Sequence, residues 1–117
     1  MTSAKHELTD GCPIDHLLRL LGRQWMPHIL WVLSQEGPTR FGALRRRLGG
    51  VSAKVLTERL RSLEEAGVVY REQAATVPPQ VTYGLTVRGV DLAQLLSRLD
   101  RVAARWQEQD RAPADPP

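Results

Sequence analysis

Cysteine is almost missing from this 117-residue chain, which has one, Cys12. That excludes an internal disulfide framework and any cysteine-rich zinc site. The histidines His6, His16 and His28 form no metal-binding set with one another or with carboxylates, and Cys12 with His16 makes only a weak pair of ligands. No nucleophile elbow, phosphate loop or paired-carboxylate motif is present, so neither catalysis nor a metal or cofactor is expected. Apolar runs are short as well. None approaches the ~20 residues needed to cross a bilayer, and the polar start MTSAKHELTD lacks a signal-peptide core. No membrane partner is expected, and the chain is expected to stay in the cytoplasm. Internal repeats are absent, and biased composition is confined to the proline-rich end. Residues 1–11 read as a flexible arm and 110–117 as a disordered tail, which leaves 12–109 as one domain.

Lysine is scarce too, and the basic residues are almost all arginine, whose planar guanidinium matches phosphate geometry. Their distribution is uneven. The stretch from Thr39 to Arg61 holds seven basic residues (Arg40, Arg45, Arg46, Arg47, Lys54, Arg59, Arg61) and one acid, Glu58, for a net charge of +6. The remainder, with nine basic and twelve acidic residues, sums to −3. A basic segment on a mildly acidic body is the electrostatic footprint of a polyanion binder.

Periodicity fills in the elements. Pro13 suits the first position of a helix with Cys12 at its N-cap, and Ile14, Leu17, Leu18 and Leu21 repeat at helical spacing up to Gly22. A second helix carries Trp25, Met26, Ile29, Leu30 and Leu33, with Pro27 in its first turn, and stops at Gly37-Pro38. A short third turns Phe41, Leu44 and Leu48 inward and Arg45, Arg46 and Arg47 mostly outward, ending at Gly49-Gly50. Ser52 caps a fourth that runs to Ala66, with Gly67 as a left-handed C-cap and an inner stripe of Leu56, Leu60 and Leu63. Two strand-like runs, 68–72 and 81–85, flank a long tip containing Pro78-Pro79. Thr86 caps a last helix to about Gln109. Its residues Leu92, Leu96, Leu99, Ala103 and Trp106 fall at spacings of four, three, four and three, which predicts a helix–helix dimer seam assisted by Leu17 and Leu21.

Helices followed by a two-stranded hairpin and a closing helix make a mainly α fold with a small β-hairpin, a winged helix-turn-helix whose N- and C-terminal helices form the dimer interface. The fourth helix is then the one placed in the major groove of double-stranded DNA. Ser52, Ala53, Lys54, Thr57, Glu58 and Arg61 are the candidate base readers. Thr57 can meet a thymine methyl or donate a hydrogen bond, Lys54 and Arg61 can reach guanine or phosphate, and Glu58 can accept from cytosine. Arg40, Arg45, Arg46, Arg47, Arg71 and Gln80 are the candidate phosphate and wing contacts, which set register without reading sequence.

The runs Cys12-Pro13, Gly22-Arg23-Gln24-Trp25, Leu30-Trp31-Val32-Leu33 and Arg40-Phe41-Gly42-Ala43-Leu44-Arg45 carry a resemblance. So do residues 50–60 (GVSAKVLTERL), Glu64-Glu65-Ala66-Gly67, residues 77–83 (VPPQVTY) and Leu85-Thr86-Val87-Arg88-Gly89. Together they resemble the HxlR-type family of bacterial regulators from Cys12 to about Trp106. The resemblance implies a homodimeric winged-helix repressor or activator. Gln80 stands where that family commonly has arginine, and the tip Gln73-Ala74-Ala75-Thr76 lacks the family's usual aromatic and acidic residues. The wing is therefore expected to do little beyond touching the DNA backbone through Arg71.

Cys12 is a further candidate, as a sensor. A thiol at a helix N-terminus lies in a positive dipole that favours the reactive thiolate, and some members of the resembled family sense electrophiles or oxidants through a cysteine at this place. The bland alternative is a half-buried packing residue. Trp25 and Trp31 could line a pocket for a small-molecule effector between the dimer helices, although residues at that spacing are more often core. From another class, the basic face could bind an acidic protein, making the chain a dimeric interaction module.

Overall fold

The computed structural model describes residues 12–111. The arm expected over 1–11, with His6, and residues 112–117 of the expected tail lie outside them. Helix α1 spans Pro13–Leu21, α2 Met26–Glu36, α3 Phe41–Leu48, α4 Ala53–Glu65 and α5 Val87–Arg111, with strands β1 at Thr39–Arg40, β2 at Val69–Ala74 and β3 at Gln80–Leu85. Residues Asp110 and Arg111, expected to belong to the tail, continue α5.

The core is aliphatic. Met26, Ile29, Leu30 and Leu33 of α2, Leu44 of α3, Leu56, Leu60 and Leu63 of α4, and Val68 and Val69 at the start of the hairpin are essentially inaccessible. Each such side chain contributes about 1.5–3 kcal/mol through burial. On α4 the buried leucines recur every three or four residues, so one face is committed to the core and the opposite face is left to solvent. Ser52 caps it as expected, its Oγ accepting from the Val55 N–H at 3.1 Å. Gly67 holds φ +76° beyond its end, where a side chain would be strained.

The sheet has three strands, not two, in the order β1-β3-β2. β1 pairs antiparallel with β3, Thr39 opposite Tyr83 and Arg40 opposite Thr82. Two residues are too few for alternation to be read from sequence. The hairpin pairs Val69 with Leu85 through to Ala74 with Gln80, so the ladder runs further toward the tip than the hydrophobic runs alone indicate.

Helix α2 starts at Met26. Trp25 lies outside it at φ 76°, a left-handed conformation unusual for a bulky residue. The start of α5 is tied to the α4–β2 turn. Thr86 Oγ1 donates to the Gly67 carbonyl at 2.6 Å and accepts from the Gly89 N–H at 3.1 Å. Gly89 has no room for a side chain, because a Cβ would run into the Val68 carbonyl.

α5 carries two apolar stripes where the sequence suggested one. Leu92 and Leu96 are 5% and 9% exposed and belong to the domain's own core, and α5 packs there against α2. They are therefore not a free dimer seam. Leu99 and Trp106, at 63% and 62%, remain exposed together with Leu95, as does Ala103. On α1, Ile14, Leu17 and Leu18 are exposed, whereas Leu21 packs partly against the core.

Candidate nucleic-acid interface

Three elements converge with the hairpin on a cleft of about 720 Å³. Arg40 enters it from β1, Arg46 from α3, Thr57, Arg61 and Glu64 from α4, and Arg71 and Gln80 from the hairpin. The β1–β3 pairing is what brings Arg40 alongside the wing. Four guanidinium groups face one carboxylate there. Glu64 is not evident as a site residue from the sequence, although it follows Arg61 by three and Thr57 by seven on one helical face.

The three consecutive arginines of α3 do different things. Successive positions fan out by roughly 100° around a helix, so they cannot share one surface. Arg45 turns back and its Nε donates to the Val51 carbonyl at 3.0 Å, bracing the α3–α4 turn. Arg47 is ion-paired with Glu36 of α2. Arg46 faces the cleft and has no ion pair among the described residues. Of the three expected phosphate contacts, Arg46 is therefore the one turned to the cleft, while Arg45 and Arg47 are engaged by structural partners.

On α4 the residues Ser52, Ala53, Lys54, Thr57, Glu58 and Arg61 are all exposed, which is the first requirement of a reading surface. Only Thr57 and Arg61 of this set line the cleft; Lys54 and Glu58 do not. The Ser52 hydroxyl is already an acceptor for its own helix. Thr57 Oγ1 donates to the Ala53 carbonyl at 2.8 Å, so its proton is committed. Thr57 can offer a base its methyl group or an acceptor lone pair, but a hydrogen-bond donation would break that bond. On the wing, Arg71 Nη2 donates to Gln73 Oε1 at 3.1 Å, and Val77 at the tip is fully exposed.

Cys12 is half-buried at the N-cap of α1 and caps nothing with its side chain. Its carbonyl accepts from the His16 N–H at 3.2 Å, and no hydrogen bond joins the two side chains among the described residues. None of the main clefts among the described residues is lined by both tryptophans. Trp31 borders a shallow cleft with Pro27, His28, Leu96, Leu99, Asp100 and Ala103. Trp25 is absent from that cleft and sets its ring edge-on to His28, with centroids 5.7 Å apart. Within the single chain the two tryptophans thus occupy separate packing positions. No described helix is long and apolar enough to cross a membrane.

The model of the family described as HxlR-like helix-turn-helix matches residues 20–111. The uncharacterized HTH-type transcriptional regulator YtfH of Escherichia coli K12 is 39% identical over 99 residues, covering 85% of this chain and 75% of that protein. Among solved structures, the redox regulator HypR in its reduced form superposes with a TM-score of 0.72 at 31% identity, covering 85% of this chain and 93% of that one. The reduced transcriptional regulator YodB of Bacillus subtilis gives 0.68 at 32% identity, with 89% and 98% covered. These relatives are transcriptional regulators rather than enzymes, and the winged-helix fold read from the sequence is the fold they share.

Proposed function

The chain belongs to the HxlR-like helix-turn-helix family of transcriptional regulators, and we propose that it binds duplex DNA as a homodimer, repressing transcription by occluding a pseudo-palindromic operator. The observation that carries this is the cleft in which Arg40, Arg46, Arg61 and Arg71 surround Thr57. Guanidinium groups from four elements converge on the exposed face of a helix whose opposite face is buried, which suits phosphate clamping around a base-reading helix. The exposed apolar residues of α1 and α5, Ile14, Leu17, Leu18, Leu95, Leu99 and Trp106, support pairing of two copies through those helices. Two-fold pairing places two reading helices about one DNA turn, ~34 Å, apart.

The test is selection from a randomised duplex pool, followed by titration of the selected operator and of random duplex at several salt concentrations. Expected is an operator affinity at least ~10³-fold above that for random sequence at physiological salt, with log affinity falling linearly with log salt for both. Enrichment of no sequence, or binding insensitive to salt, overturns the reading in favour of a protein-interaction module.

A second reading concerns the signal. HypR is known in reduced and oxidised forms, and YodB in reduced and diamide-treated forms. Cys12 is the only thiol of this chain, and it sits where α1 begins, beside the exposed apolar face proposed for the dimer. Attack of its thiolate on an electrophile adds bulk there. Oxidation of two such thiols by diamide links two copies through a disulfide, with the two electrons and two protons passing to the diamide. Quinone or diamide treatment is expected to change operator affinity of the wild type and leave Cys12→Ser unchanged. An equal response of both proteins, or of neither, makes Cys12 a packing residue.

A further inference from the structure

Arg59 lies within the basic stretch yet is turned away from the basic cleft. It is half-buried on α4, and its Nε donates to the Gln24 carbonyl at 2.9 Å, a contact across 35 positions of sequence. A second bond runs in parallel, from Arg23 Nη1 to Ser62 Oγ at 3.2 Å. Together they fasten the α1–α2 turn to α4. The turn is a firm anchor. Trp25 is held at φ 76°, its ring is set against His28, and it packs against the core. A non-glycine residue keeps such a conformation only when its surroundings over-determine it. The neighbouring Gln24 carbonyl is thereby held in one direction, and Arg59 meets it with a charge-assisted hydrogen bond.

We infer that Arg59 is a positioning residue, which sets the placement of the reading helix α4 from the turn at the end of α1. Leu56, Leu60 and Leu63 attach α4 to the core, but apolar contact is non-directional. Bonds to fixed groups on the turn, the Gln24 carbonyl among them, specify how far α4 is slid or rotated. Hydrogen bonds to base edges need that placement, whereas charge attraction to phosphates tolerates small shifts. Because α1 also carries Cys12 at its start and the exposed Ile14, Leu17 and Leu18, the same bonds link that surface to α4. The inference rests on α4 being the reading helix.

Arg59→Met keeps the apolar stem and removes the donor. Its operator affinity, on the duplex selected by the wild type, is expected to fall about tenfold, with random-duplex affinity and salt slope unchanged. Arg59→Lys, which retains a donor, recovers most of that affinity, and Ser62→Ala, which removes the parallel bond, shifts operator affinity in the same direction as Arg59→Met. Affinities are referred to the active fraction found by stoichiometric titration, so partial unfolding does not mimic the effect. Arg61→Ala serves as the reference. If it lowers operator preference while Arg59→Met and Ser62→Ala leave preference intact, the inference is overturned and the reading of α4 survives. If Arg61→Ala keeps full preference, the reading of α4 itself fails. A fall on both DNAs with a shallower salt slope makes Arg59 a phosphate contact, which also overturns the inference.

Discussion

Aspartate at position 96 is expected to unfold the domain, whereas aspartate at position 99 is expected to leave it folded and monomeric. The two leucines are three residues apart on α5, but Leu96 is 9% exposed within the core and Leu99 is 63% exposed. A carboxylate at 96 enters a largely apolar contact with α2. Several kcal/mol of desolvation against a total stability of about 5–15 kcal/mol leaves little folded protein. At 99 the same side chain meets water in the single chain, where surface changes stay within about 0.5 kcal/mol. In the proposed dimer it removes apolar contact and brings like charges together across the two-fold. Thermal melting and sedimentation velocity separate the outcomes. A Leu99→Asp protein that sediments as a stable dimer removes this part of α5 from the interface, and a cooperatively folded Leu96→Asp contradicts the packing of α5 on α2.

That contrast also shows where sequence reasoning stops. The 4-3-4-3 spacing on α5 identifies a long amphipathic helix, and α5 is one. Spacing records which residues avoid water, not which surface shields them, so an inward stripe through Leu92 and Leu96 and an outward one through Leu95, Leu99 and Trp106 merge in the string of letters. Local devices are legible because their partners are near in sequence. The Ser52 cap, the left-handed Gly67 and the Thr86–Gly89 cap each act within a few residues. β1 is hidden because it is two residues long and exists only through its pairing with β3. The face of α4 proposed to read DNA is visible as the side opposite its leucines. The division of labour among Arg45, Arg46, Arg47 and Arg59 is not, since Val51, Glu36 and Gln24 become their partners only in the folded chain.

The same division of labour sets the remaining expectation. Alanine at Arg40, Arg46 and Arg71 together should make the log-log salt slope shallower by about 2.7, at ~0.9 for each phosphate no longer neutralised. Operator and random duplex should weaken by about the same factor, because these residues are assigned to the DNA backbone. Alanine at Arg45 and Arg47, equally basic and on the same short helix, should barely change the slope. Those guanidinium groups are already bound to the Val51 carbonyl and to Glu36, so their removal should appear in thermal stability instead. Thr57→Ala or Arg61→Ala should cost ~1–3 kcal/mol on the operator and little on random DNA. Thr57→Val should keep most of the operator affinity that Thr57→Ala forfeits, since a hydroxyl proton tied to the Ala53 carbonyl leaves the methyl group as the main point of contact. If Arg45→Ala and Arg47→Ala flatten the slope as much as Arg46→Ala, the protein meets DNA through the outer surface of α3, and the cleft between α3, α4 and the wing is not the phosphate clamp.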